Sequence, residues 1–328
     1  MDALSEVLSS VRLKSTVWVC SQAAAPWGLS LPDARSKCAA RSTVRFHYVT
    51  RGSCWLSVDK HSEPRIALSG GDLVVLPLGH GHTLRDQPRS AATKVDDVAR
   101  NGSRGGESVL HLTLGGTGPE TTMLCGAFEI EDPSETPVLS TLPPLIRITP
   151  DAGQAVPSVL QNLQFIAREA ESNRPGSQIV RTRMAEVMFV QVLRAYIESL
   201  PDGTEGFLGA LRDTHMGAAL GLMHRQLEEQ WTVASLASRV GLSRSAFAAR
   251  FTQLIGEPPL GYLTRLRMQR ATALLREGAT LAKTSQMTGY SSEAAFSHAF
   301  RQWAGVAPGA YRRQTRTTAG TPGTSAAT

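Results

Sequence analysis

Residues 232–262 read TVASLASRVGLSRSAFAARFTQLIGEPPLGY, and residues 280–311 read TLAKTSQMTGYSSEAAFSHAFRQWAGVAPGAY. The second stretch repeats the first. Before the central turn the offset is 48, so that Val233 answers Leu281 and Gly241 answers Gly289. After the turn it is 49, carrying Phe247 to Phe296, Phe251 to Phe300, Gly256 to Gly305, Pro259 to Pro308 and Tyr262 to Tyr311. The extra residue falls in the turn, where an insertion disturbs neither helix. Two copies of one supersecondary unit are present.

Each copy has the pattern of helix, tight turn, helix. In the first, Val233, Leu236, Ala237 and Val240 recur at helical spacing, and Gly241 ends the run with the conformational freedom a left-handed C-terminal residue needs. Ser243 is placed to cap the next helix. On that helix Phe247, Phe251 and Leu254 share the inner face, leaving Arg244, Ser245, Ala248 and Ala249 outside. A brace helix followed by a helix with an exposed N-terminal face is what reading a DNA major groove requires.

Charge supports the same division. Residues 215–328 hold 13 Lys+Arg against 5 Asp+Glu, whereas residues 1–214 hold 21 against 23. The basic excess lies wholly in the last third, so that third is the part expected to meet a polyanion.

Upstream, from about Trp18 to Ile148, the chain reads as short β segments. STVRFHYVT (42–50), SCWLSV (53–58), GDLVVLP (71–77) and SVLHLTL (108–114) are rich in β-branched and aromatic residues and are punctuated by Gly, Pro and Asp. The polar stretch 87–108 is expected to be a mobile loop. The period then changes to helical, with Val156, Leu160, Leu163 and Ile166 on one predicted helix and Met184 to Ile197 striping another from about Gln178 to Leu200. These helices either pack on the barrel or form a dimer interface. LPDGTEGF (200–207) has a linker's composition. No apolar run approaches the roughly 18 residues of a membrane span, and the N-terminus lacks a signal-peptide core, so a cytoplasmic protein without membrane attachment is expected. The four cysteines show no CxxC spacing and are expected to be reduced core thiols.

Residues 216–313, through LASRVGLSRSAFAARFTQLIGEPPLGYLTRLRMQRATALL and the second unit ending GVAPGAYRR, resemble the DNA-binding domain of the AraC/XylS family of bacterial transcription regulators. The resemblance implies two helix-turn-helix units joined by a long helix, entering successive major grooves of double-stranded promoter DNA. Carried over by position, the base-facing slots are Ser245, Ala248 and Ala249 in the first unit and Glu293, Ala294, Ser297 and His298 in the second. Arg244 and Arg250 would lie near phosphates, and Arg301 joins the DNA-binding set. Many members of the family have Arg where this chain has Ala249 and His298, which removes the commonest guanine contact. Sequence preference is then expected to rest more on apolar contacts and DNA shape.

The stretch GDLVVLPLGHGHTL (71–84) matches the second cupin motif through Gly71, Pro77, Gly79 and His82, with Asp86 where Asn is usual. The first motif's His-x-His and Glu are missing, and only Phe46-His47-Tyr48 stands in their place. The front half as a whole resembles the cupin-type sensor of AraC-like regulators. That resemblance implies an effector-binding barrel, with His47, Trp55, His80, His82 and Cys125 as candidate lining residues.

Two readings of the histidines stay open. His47, His80, His82 and Cys125 could converge on a borderline-soft metal such as zinc, making a metal sensor or a cupin metalloenzyme. Alternatively His47 and His82 are satisfied barrel histidines and His80 an exposed turn residue. The second reading is preferred, so no catalytic residue, metal or cofactor is expected.

The expected fold is α+β in two domains. A cupin-like β-barrel spans 1–150 and helical linker or dimerisation segments span 151–212. An all-α domain with two helix-turn-helix units spans 213–314, and 315–328 form a disordered tail. The expected protein is an effector-controlled, DNA-binding transcription regulator and homodimer, with RNA polymerase as a further partner.

Overall fold

A computed structural model describes residues 3–8, 13–34, 41–59, 65–100, 103–105, 109–131, 137–150, 156–171 and 174–319. The chain divides into two compact units, one formed by Val11–Pro201, the other by Met1–Ser10 with Asp202–Thr328. No described helix is long and apolar enough to cross a membrane.

The Val11–Pro201 unit is built on two sheets. The strands are β1 (Leu13–Ala24), β2 (Gly28–Leu31), β3 (Arg41–Arg51), β4 (Ser53–Val58), β5 (Ile66–Ser69), β6 (Leu73–Leu76), β7 (His82–Arg85), β8 (Thr93–Lys94), β9 (Ser103–Gly105), β10 (Val109–Gly115), β11 (Glu120–Glu131) and β12 (Ile146–Ile148). One sheet runs β12-β6-β3-β11-β1-β10-β9 and the other β5-β4-β7-β2-β8. Among the described strands, only the pairs β1–β10 and β2–β8 are parallel.

Strand alternation selects what enters the core. On β4, Cys54 and Leu56 are buried inside while Trp55 between them is half-buried on the opposite face. The interior cluster includes Trp27, Val49, Leu68, Val74, Leu84 and Met123. On the other face of the larger sheet, Trp18 and Phe46 meet edge-to-face across Gly126, where an added Cβ would lie 2.3 Å from the Phe46 ring. Phe128 meets Phe189 there at 5.4 Å between ring centroids. Phe189 belongs to α5 (Ser177–Ser199), which pairs with α4 (Val156–Glu171) through Asn162 and Gln191, 2.6 Å apart. This helix pair therefore belongs to the barrel unit.

The division between units, at Pro201/Asp202, falls inside the segment 151–212 expected as linker. A further sequence expectation needs correction. The stretch 87–108 is not a plain loop, because β8, helix α2 (Val95–Arg100) and β9 lie within it. Asp96 and Asp97 in the first turn of α2 and Arg100 in its last supply charges that suit a helix dipole. A short helix α3 (Pro137–Ser140) precedes β12.

The other unit is helical. It comprises α1 (Ala3–Leu8), α6 (Phe207–Arg212), α7 (Thr214–Arg225), α8 (Val233–Arg239), α9 (Arg244–Ile255), α10 (Pro259–Arg276), α11 (Leu281–Met287), α12 (Glu293–Ala304) and α13 (Pro308–Ala319). α13 continues to Ala319, into the stretch expected to be disordered, and residues 320–328 lie outside the described ones. Within this unit Val7 of α1 is buried and Glu6 pairs with Arg225 of α7 at 3.3 Å.

The duplication is geometric as well as sequential. Phe247 and Phe251 lie 5.6 Å apart and Phe251 meets Tyr262 edge-on at 5.7 Å. Their counterparts Phe296, Phe300 and Tyr311 repeat this at 5.6 and 5.5 Å. Gly241 and Gly289 in the turns have φ of 72° and 74°, values open to glycine without strain.

Candidate nucleic-acid interface and barrel interior

The two reading helices are started and stopped by the residues that the sequence singled out. Ser243 Oγ accepts the Ala246 N–H at the start of α9, and Ser292 Oγ accepts the Ala295 N–H at the start of α12. Left-handed Gly256 and Gly305 end them. With Phe247, Phe251, Phe296 and Phe300 fully buried, the opposite faces are turned to solvent. Ser245, Ala249, Glu293, Ala294, His298 and Arg301 are exposed, and Ala248 and Ser297 half-buried beside them.

Arg244 is exposed and makes no ion pair among the described residues. Arg250 differs, since its guanidinium donates to the Asp213 carboxylate. Asp213 also accepts the N–H groups of His215 and Met216, both at 2.9 Å, and so caps α7. Burial pushes the Asp213 carboxyl up, but the Met216 amide, Arg250 and the His215 amide together hold it below the ordinary carboxylate range. Sequence reasoning missed Asp213. Its signal was an aspartate standing directly before a helical run, a favoured N-cap.

Inside the barrel the cross-strand row Val19–Cys125–His47–Val74 puts His47 on the inner face of β3. His82 enters from β7, opposite Val58 of β4. The two imidazoles meet Nε2 to Nε2 at 2.7 Å, with 2% and 0% of their surfaces exposed. The His82 Nδ1 lies 2.8 Å from the His80 carbonyl. A carbonyl can only accept, so His82 carries its proton on Nδ1 and offers a lone pair at Nε2. His47 must then donate from Nε2, which leaves its Nδ1 as an acceptor. That atom is buried and has no hydrogen-bond partner among the described residues, and the same holds for the Trp27 Nε1 donor elsewhere in the unit.

Burial holds both histidines neutral. The His82 pKa falls to about 4, because burial outweighs the hydrogen bond to the His80 carbonyl, which raises it, and Arg45 and His80 lower it a little further. His47 is pushed well below the usual range by burial, His82 and Arg45. His80 is 4% exposed, which corrects the expectation of an exposed turn residue. The turn packs inward because Gly79 and Gly81 have no Cβ to collide with the Thr43 carbonyl and the Asp59 carboxylate, each 2.5 Å from where one would stand.

The structure thus brings His47, His82 and Cys125 to one interior, with His80 beside them through its carbonyl, and leaves Trp55 on the outer face. A cupin metal does not fit these residues. The two imidazoles spend their facing nitrogens on each other, and burial raises the Cys125 thiol and keeps it protonated. Among the described residues no group of three or more His, Cys, Asp or Glu is gathered to hold a metal ion.

The comparisons with known proteins agree with both halves. The Cupin family matches residues 2–198, and a family described as Helix-turn-helix domain matches residues 236–314. An AraC-like transcription regulator of Streptomyces lividans is 34% identical over 95% of this chain and 98% of its own length. The HTH-type transcriptional regulator AlkR of Acinetobacter baylyi is 28% identical over 96% of this chain and 100% of its own. The RCS-specific HTH-type transcriptional activator RclR of Escherichia coli is 26% identical over 96% and 99%. With a cupin barrel in the first part of the chain, a duplicated helix-turn-helix in the last, and relatives matched over nearly their whole length, the chain belongs to the family of AraC-like, DNA-binding transcription regulators.

Proposed function

We propose that this regulator binds promoter DNA through the outer faces of α9 and α12 and that a small molecule held in the barrel controls the response. Arg244 contacts phosphate at the first groove. Ser245, Ala248 and Ala249 read bases there, as Glu293, Ala294, Ser297 and His298 do at the second, with Arg301 flanking. The observation that supports the DNA half is the pair of capped helices whose aromatic faces are buried and whose opposite faces are free. The effector half is supported by the His47 acceptor, which has no partner among the described residues and lies beside His82 in a largely apolar interior. Such an interior with a few fixed polar groups is what small-ligand recognition uses.

The relatives' names and the ill-fitting donor set both speak for regulation over catalysis in the barrel. The protein acts as a homodimer, for which the exposed Phe165 of α4 and Ile179, Val180 and Val187 of α5 provide an apolar surface. RNA polymerase is the further partner through which a promoter-bound regulator acts. The test is an electrophoretic mobility shift on the DNA upstream of the protein's own gene, titrated with salt and repeated with a panel of small molecules. Affinity should fall steeply with salt as phosphate contacts release counterions. His82→Ala should keep basal DNA binding and lose the ligand response. Loss of DNA binding with the barrel still folded would refute the effector assignment.

A further inference from the structure

The turn into α7 reads Asp213-Thr214-His215, and it reaches both helices of the first helix-turn-helix unit. The Asp213 Oδ1 is fixed by two backbone amides, and its Oδ2 takes the guanidinium of Arg250, midway along α9. Two positions further on, the His215 Nδ1 lies 2.6 Å from the Val240 carbonyl, which ends α8. The carbonyl accepts, so the ring donates. The Asp213 side chain is only 9% exposed, while that of Arg250 is 53% exposed. A carboxylate already held by two amides on a helix end has little freedom left, and an arginine bound to it inherits that rigidity.

Among the described residues the second unit has no such arrangement. At the offset of 49, the residue answering Arg250 is Ala299. The long helix that precedes the second unit, α10, opens on Pro258-Pro259 with no side-chain cap. The clamp belongs to one repeat.

We propose that Asp213 is a positioning residue for the first reading helix, orienting α9 through Arg250, and that Arg250 serves this clamp instead of touching DNA phosphate. The proposal rests on DNA binding by α9. It explains why a basic side chain on a DNA-reading helix is neutralised by a nearly buried acid. A paired guanidinium offers a phosphate little net charge, whereas the orientation it fixes lowers the cost of ordering the helix on DNA. Arg244, which has no such partner, is left as the phosphate contact of this helix.

The two roles predict opposite signs for one substitution. Asp213→Asn keeps an N-cap, since asparagine caps as well as aspartate, but it discharges the pair. If Arg250 is a phosphate contact, removing the acid frees it and DNA binding tightens. If Asp213 positions α9, binding weakens, by about three- to fivefold given the usual worth of a partly exposed pair.

The experiment measures fluorescence anisotropy of a labelled duplex from the protein's own upstream region, with the full-length chain, across a salt series. The expected result is weaker binding by Asp213→Asn and by Arg250→Met, each with the wild-type salt slope, and a double variant no weaker than the weaker single one. Arg250→Lys, which can keep the pair, should recover most of the affinity. Thermal unfolding of Arg250→Met, an exposed position, shows whether the unit remains folded. Tighter or unchanged binding by Asp213→Asn overturns the proposal, as does a salt slope about one unit shallower in Arg250→Met. Failure of the wild-type protein to bind any duplex would instead overturn the DNA-binding role of α9, which the variants do not test.

Discussion

Lowering the pH should loosen the barrel well before its carboxylates protonate, because two of its core histidines are neutral. His82 has a folded pKa of about 4, against an ordinary imidazole value near 6.5 in the unfolded chain. Since the folded value is depressed, the stability linked to this group is fully present above about pH 6.5 and is lost as pH falls toward 4. Over that interval the unfolded chain takes up a proton that the folded barrel refuses. The loss is roughly 1.4 kcal/mol per pH unit and about 3 kcal/mol when complete. His47, depressed by the same burial and by its neighbours His82 and Arg45, adds to the loss. A barrel with a typical stability of about 5–15 kcal/mol would lose a substantial share. The assay is urea unfolding at half-unit steps from pH 7.5 to 4.5, with wild type and His82→Gln compared by their midpoints. The wild-type midpoint should drop steadily below pH 6.5. His82→Gln, less stable at neutral pH, should show a flatter profile. Equal slopes for the two proteins, or a wild-type midpoint flat to pH 5, would refute the neutral buried pair.

Other expectations follow from packing and charge. Phe251→Ala and Phe300→Ala should each cost about 3–5 kcal/mol in chemical denaturation, because each ring is fully buried between a Phe and a Tyr in its own copy of the repeat. A small effect at one and a large one at the other would show that the two copies are not equivalent. Arg244→Ala should weaken all duplexes about equally and reduce the salt slope by about one, whereas Ser245 or His298 substitutions should change which bases are preferred in a binding-site selection. Identical loss on every sequence from both kinds of variant would contradict the division between phosphate and base contacts.

Much of this architecture could be read from residue types, because it depends on local rules. Gly241, Ser243 and Phe247 each act within a turn or two of helix, so helix ends and inner faces were visible in the spacing alone. The strands around GDLVVLP were legible for the same reason. The misses involve residues that meet only in three dimensions. Residue type makes Trp55 a candidate for lining the barrel, but face is set by strand phase, and its neighbours Cys54 and Leu56 hold the inner positions. His80 looked like a turn residue, and only the collisions that a Cβ at Gly79 or Gly81 would make reveal how tightly the turn is pressed inward. Asp213 and Arg250 are 37 positions apart, and no periodicity links them.

The repeat also separates what the fold requires from what it leaves free. Among the positions that keep their identity between copies are the buried Phe247/Phe296 and Phe251/Phe300, the left-handed Gly256/Gly305 and Tyr262/Tyr311 on the helix beyond. Each is fixed by packing or backbone conformation, where most substitutions are costly. The positions that differ are Arg244/Glu293, Ser245/Ala294, Ala248/Ser297 and Ala249/His298, which lie on the solvent-facing side and carry no such cost. At the first of these the charge reverses. An arginine there suits phosphate or guanine, whereas a glutamate is repelled by phosphate and can accept from the amino group of cytosine. One scaffold used twice thus presents two chemically different reading surfaces. On the proposed function, the two grooves should be read for different sequences, and the first should supply more of the salt-dependent affinity.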